Sequence, residues 1–176
     1  MLEKDIKAAL KLANEMESKG VIGRYAIGGA LGAIYWTEPF ATKDLDLFLR
    51  VPVSGGGLLL RPFLEYLVKK GYPFEGQHIQ VGTLPVDFVA VYNPLTEEAL
   101  DAAIDAEVYG VSTRIFTAEH LLAIALQTRR PQDLAKAGRL YRQTGLDKKL
   151  FAGIIRRHKL SREWNDFKSR YLPTSD

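Results

Sequence analysis

Three carboxylates and two glycines carry the chemistry that can be read in this chain. Asp44 and Asp46 alternate with Leu45, Leu47 and Leu49 in a run built like a β-strand. Side chains on a strand alternate with period two, so the two acids share a face. Like charges held side by side repel unless a cation lies between them, and such a pair of oxygen donors suits Mg²⁺, which is held by one or two carboxylates together with substrate phosphates. Asp87 is the one acid within the apolar run 84–92, and a charge in such surroundings needs a partner or a metal. Gly28 and Gly29 lie just upstream of the acid pair. Lacking Cβ atoms, they let the backbone approach a ligand closely, and a helix that they open would turn free N–H groups and a positive dipole end toward an anion.

Periodicity predicts the elements that position these groups. Residues 3–19 place Ile6, Leu10 and Ala13 on one face, with Glu3/Lys7 and Glu15/Lys19 four apart, as in an amphipathic helix ended by Gly20. Residues 25–27 read as a short strand and residues 30–36 as a helix of small residues, and the acid-bearing strand is expected to run to about Val53. Residues 54–57 read as a loop without the Lys-Ser or Lys-Thr of a P-loop, and residues 58–70 as a helix stopped by Gly71. Residues 78–81 and 84–92 form a hairpin about Gly82 and Thr83. A helix over 95–104 and one or two extended pieces over 107–116 follow. From Thr117 onward the pattern is helical, over 118–128, 131–143, 147–158 and 161–171, with Thr117, Asp147 and Ser161 as caps. On the second of these helices Leu134, Ala137 and Tyr141 read as the inward face. His78, His120 and His158 are far apart in sequence and lack zinc-ligand spacing, so they read as surface or core residues. Trp36 and Trp164 read as packing residues.

The chain has 176 residues, of which 47% are hydrophobic, enough for one packed core with a helical appendage. Cysteine is absent, which excludes disulfides and thiol catalysis and fits a cytoplasmic location. No apolar run reaches the length of a membrane span, and the charged residues 1–11 are not built like a signal peptide. The formal net charge of +3 conceals an asymmetry. Residues 1–128 hold 11 Lys and Arg against 16 Asp and Glu, whereas residues 129–176 hold 13 against 5. A basic C-terminal third can attract nucleic acid or a nucleoside triphosphate.

An apolar residue before a Gly pair (Ile27, Gly28, Gly29), a 14-residue spacer, Asp44-x-Asp46 and a later strand bearing Asp87 resemble the nucleotidyltransferase superfamily of the DNA polymerase β type. Leu122 to Leu126, followed by Arg129, Arg130, Pro131, Gln132 and Asp133, resembles its AbiEii-type branch, associated with toxin–antitoxin systems. The resemblance implies an α+β fold, with a mixed sheet of about four to five strands flanked by helices and an all-helical C-terminal region. It implies a catalytic core over 1–116 and a helical subdomain over 117–176 packed on it. Asp44, Asp46 and Asp87 would bind two divalent cations, Mg²⁺ or Mn²⁺, with Asp87 activating the incoming hydroxyl. Gly28 and Gly29 would hold the triphosphate, and Arg130, Asp133 and Lys136 would contact the nucleotide. Many relatives carry Gly-Ser where this chain has Gly28-Gly29, and Lys where it has Gln132. The activity implied is transfer of a nucleoside monophosphate from an NTP to a hydroxyl on RNA, tRNA or protein, with release of pyrophosphate. Two alternatives belong to other classes: a catalytically silent module or antitoxin that binds a partner protein or RNA, and an enzyme modifying a small antibiotic.

Overall fold

Alternation within residues 45–49 decides which way the acid-bearing strand faces. Leu45, Leu47 and Leu49 are buried, whereas Asp46 and Phe48 are half-buried, so one face of the strand supplies core and the other carries the acid. The computed structural model describes residues 2–54, 57–58, 60–76 and 78–172. In chain order it contains α1 (Leu2–Ser18), β1 (Tyr25–Ile27), α2 (Gly29–Trp36), β2 (Leu45–Leu49), β3 (Val53–Ser54), β4 (Gly57–Leu58), α3 (Leu60–Lys69), β5 (Phe74–Glu75), β6 (His78–Val81) and β7 (Leu84–Ala90). There follow α4 (Pro94–Asp101), β8 (Ile104–Val108), β9 (Val111–Ile115), α5 (Ala118–Thr128), α6 (Pro131–Gln143), α7 (Lys148–Arg157) and α8 (Ser161–Tyr171). Residues 55 and 56 of the expected loop lie outside the described residues, and β3 and β4 on either side of them pair as a short ladder.

The architecture is the expected α+β arrangement, a mixed sheet flanked by helices and followed by a helical C-terminal region. The sheet has seven strands in the order β5-β6-β7-β2-β1-β9-β8. The β2–β7 and β1–β9 pairs are parallel. It is wider than four to five strands because β5 adds an edge and residues 104–115 pair as a full hairpin. Ile104, expected at a helix end, instead pairs with Ile115. The acid-bearing strand is shorter than expected and stops at Leu49.

Strand parity distributes the core between the two faces of the sheet. Tyr25, Ile27 and the three leucines of β2 pack against Ile6, Leu10 and Met16 of α1 and against Leu67 of α3. Each such leucine, fully buried, contributes about 1.5–3 kcal/mol. Asp5 ties α1 to the β6–β7 turn, its carboxylate accepting hydrogen bonds from the Thr83 N–H at 2.9 Å and the Thr83 hydroxyl at 2.8 Å. On the other face Ala26 and, partly buried, Phe48 meet a second cluster that continues through Leu100 of α4, Leu122 of α5, Leu140 of α6, Ile154 of α7 and Phe167 of α8. The helical C-terminal region therefore covers the face from which Asp46 projects.

The expected caps hold at Thr117, which accepts from the His120 N–H, and at Asp147, which accepts from the N–H groups of Lys149 and Leu150. Ser161 is not a cap. It is the first residue of α8, and Leu160 precedes it without a side-chain bond.

His120 and His158, distant in sequence, share a single carboxylate. Glu98 on α4 receives His158 Nε2 at 2.7 Å, His120 Nε2 at 3.3 Å and the Arg157 guanidinium, which pins α4 to α5 and α7. The Arg157 hydrogen bond holds the Glu98 carboxyl down at about 2, with smaller pulls from His158 and His120. Burial draws the His120 pKa below its usual value despite Glu98 and Glu119 nearby, so His120 is neutral, donates Nε2–H to Glu98 and receives the Thr117 hydroxyl at Nδ1, 2.8 Å away. Both shifts are downward. The unfolded chain therefore takes up protons first, and stability is lost as pH falls, through His120 below about pH 6.5 and through Glu98 below about pH 4.3. The melting temperature of His120→Gln is expected to decline less between pH 7 and 5 than that of the parent. An unchanged slope would remove His120 from the account.

Candidate active site

The sheet register brings the sequence-predicted acids together. Asp46 on β2 and Asp87 on β7 are direct partners across a parallel pair, so their side chains leave the same face. Asp44 lies just before β2 instead of on it, and its Oδ1 is 3.2 Å from the Thr42 hydroxyl, which donates to it. The row extends to both sides. The Gly28 N–H donates to the Asp46 carbonyl at 3.0 Å, and one step beyond the Ile79–Val86 pair His78 falls opposite Asp87.

That first bond corrects one expectation about the glycines. The N–H of Gly28 is taken by the sheet, so only the groups from Gly29 onward, at the start of α2, are open to an anion. The second glycine is required by the acid itself. Gly29 has φ +53°, and a Cβ there would lie 1.6 Å from Asp46 Oδ2. A Cβ on Gly28 would meet the Phe48 ring at 2.4 Å. The glycine pair thus first makes room for Asp46 and Phe48.

Electrostatics mark Asp46 as the centre of the group. Burial pushes its carboxyl up to about 6, aided by the Asp44 charge and, more weakly, by Asp87 and Asp133, with Lys136 opposing. Asp87 is also raised, by burial first and then by Asp44, while His78 opposes. Lys136 on α6 reaches this region held by Asp133, whose Oδ1 is 2.8 Å from its ammonium. Thr128 donates to the other oxygen of Asp133 at 2.7 Å. Burial raises the Asp133 pKa, but the bonds from Lys136 and Thr128 outweigh it and the group stays low and charged. Both Asp133 oxygens are thereby engaged, so this residue orients Lys136. Arg130 is largely exposed, 4.0 Å from Asp133.

Among the described residues no three His, Cys, Asp or Glu side chains converge, as they stand, into a metal cage. The donor set nonetheless fits a hard divalent cation. Burial first, and then the charges of Asp44 and Asp87, push the Asp46 carboxyl up, and a cation beside the three groups would offset the repulsion among them.

Sequence reasoning singles out the three acids and Lys136, but it reads His78 only as a surface or core residue. A two-residue turn at Gly82 and Thr83 fixes the hairpin register, and counting outward from it puts His78 opposite Asp87, so the signal was present. No described helix is long and apolar enough to cross a membrane.

The fold that carries this row is nucleotidyltransferase-like. The chain is similar in structure to an antigenic nucleotidyltransferase-like protein from Paracoccidioides brasiliensis, with a TM-score of 0.54 and 15% identity over 90% of this chain and 91% of that one. It also aligns with ANT(2″)-Ia in complex with adenylyl-2″-tobramycin, at a TM-score of 0.48 and 13% identity over 93% of this chain and 99% of the other. The solution structure of the antibiotic-resistance factor ANT(2″)-Ia aligns at 0.49 and 15% identity over 94% of each chain. No protein-family model and no curated protein sequence matches the chain.

Proposed function

We propose that this chain transfers a nucleoside monophosphate from a nucleoside triphosphate to a hydroxyl acceptor, with Mg²⁺ or Mn²⁺ and with release of pyrophosphate. The observation that carries the reading is the in-register pair Asp46 and Asp87, with Asp44 two residues from the first and Gly29 leaving space for its carboxylate. Asp44, Asp46 and Asp87 would hold the metal. When bound, it would offset phosphate charge and ease ionisation of the hydroxyl.

The chain's own residues supply positioning and charge. The N–H groups that open α2 beyond Gly28 meet the phosphates, and Lys136, oriented by Asp133, adds positive charge beside Asp46. The acceptor oxygen bonds to the α-phosphorus as the α–β phosphoanhydride bond breaks. Its proton passes to a carboxylate oxygen of Asp87, and the electron pair leaves on pyrophosphate. Holding these groups in line accounts for most of the catalysis.

The excess of cations in residues 129–176 supports a polyanionic acceptor such as RNA or a tRNA end. The run from Arg129 to Asp133 that leads into α6 supports kinship with the AbiEii-type enzymes of toxin–antitoxin systems. The test is incubation with each α-labelled nucleoside triphosphate and Mg²⁺ or Mn²⁺, with and without total RNA. Label is expected on RNA, and not on RNA treated with an Asp44→Asn/Asp46→Asn variant. A second reading, a silent module that binds its partner without turnover, is favoured by one observation: Asp44 is held by the Thr42 hydroxyl. Absence of transfer, together with absence of metal binding by calorimetry, would favour that reading instead.

A further inference from the structure

One cavity among the described residues lies away from the carboxylates. It has a volume of about 620 Å³ and opens between the C-terminal end of α6, α7 and the start of α8. That is within the roughly 300–1,000 Å³ typical of small-molecule sites. None of its lining residues belongs to α2, β2 or β7. Tyr141, its nearest residue along α6, is five positions beyond Lys136, about 7.5 Å further along the helix axis.

Its walls combine two chemistries. Tyr141, Phe151, Ile155 and Trp164 give it an apolar, largely aromatic lining, with Trp164 5.5 Å from Tyr141 and 5.1 Å from Phe151 between ring centroids. Lys148 and Arg156 line it as well, both exposed, and no carboxylate does. Neither cation is engaged in an ion pair among the described residues, so both are free to meet an anion at the cavity mouth. Tyr141, expected on the inward face of α6, is instead 38% exposed and forms part of this lining. A purely apolar ligand would leave the two cations without a role, and a simple anion would leave the aromatic walls bare.

We propose that the cavity between α6, α7 and α8 is a binding site, separate from the carboxylate row, for a nucleobase that carries a phosphate. The ring lies against the aromatic walls, and the phosphate is met by Arg156 and Lys148. The same chemistry is offered by a free mononucleotide and by the terminal nucleotide of an RNA. This site does not depend on the transferase reading, since it needs neither the acids nor a metal.

The experiment uses the full chain carrying Trp36→Phe, which leaves Trp164 as the one tryptophan, in EDTA. AMP, GMP, CMP and UMP are titrated while Trp164 fluorescence and calorimetric heat are followed. At least one nucleotide is expected to give saturable binding, weakened about tenfold or more by Lys148→Glu/Arg156→Glu and unchanged by Asp44→Asn/Asp46→Asn. Adenosine and ribose 5-phosphate, each lacking half of the chemistry, should bind at least about tenfold more weakly than the best nucleotide. A short single-stranded RNA that binds more tightly than the mononucleotide, through the same two cations, identifies the RNA end as the source; equal or weaker binding identifies the free nucleotide. The proposal is overturned if neither signal saturates, if charge reversal leaves affinity unchanged, or if the aspartate variant abolishes binding.

Discussion

Asp46→Asn is expected to lower nucleotidyl transfer by about 10³-fold or more while the protein melts no lower than its parent. The two halves of this expectation share one cause. Asp46 is held at about 6 instead of the usual 3.8 by burial and by Asp44, so its ionised form at pH 7 works against the fold. An uncharged amide of the same shape relieves that repulsion and at the same time removes the central oxygen donor of the acid row. Loss of one group that stabilises transition-state charge costs about 10²–10³-fold, and loss of a metal donor costs at least as much. Thermal melting alongside a labelled-triphosphate assay separates the outcomes. Lost activity with a much lower melting temperature would make Asp46 structural, and full activity would end the metal-ligand assignment.

β2 is legible because it alternates, β7 because its residues are strand formers around a single acid, and the helical C-terminal region because its helices are bounded by Thr117, Pro131, Asp147 and Gly145. Legibility fails where the decisive partner is remote in sequence. Asp133 reads as a nucleotide contact in the sequence, whereas in the fold its two oxygens are bonded to Thr128 of the preceding helix and to Lys136. Glu98, His120 and His158 gave no local signal at all, since their meeting depends on how α4, α5 and α7 cross. Gly28 and Gly29 were recognised as a pair, but their reason was only half visible. Spacing suggests a phosphate cradle, whereas the nearest atoms to the missing Cβ positions belong to Phe48 and Asp46. Ile104 and Tyr141 were misplaced for an ordinary cause: helical periodicity continues past the point at which tertiary pairing or a cavity takes over.

That distinction between the two glycines gives the second large effect. Gly29→Ala is expected to reduce transfer by about 10²-fold and to destabilise the chain, whereas Gly28→Ala destabilises it with a smaller effect on the chemistry. At Gly29 the backbone is left-handed, which costs a non-glycine residue about 1–2 kcal/mol. The new methyl group would also fall 1.6 Å from Asp46 Oδ2, so the carboxylate must rotate out of the row it forms with Asp87. A displacement of about 1 Å at a positioned reacting group is enough for a loss of that size. At Gly28 the methyl group meets the Phe48 ring at 2.4 Å and the Phe116 ring at 3.3 Å, and overpacking of this kind costs about 1–3 kcal/mol without touching a carboxylate. Activity of each variant, measured below its own melting transition and compared with the parent, reads the difference. Equal losses in both would mean that the glycines serve only the turn, and parent-like activity in Gly29→Ala would mean that the Asp46 carboxylate need not sit where this fold places it.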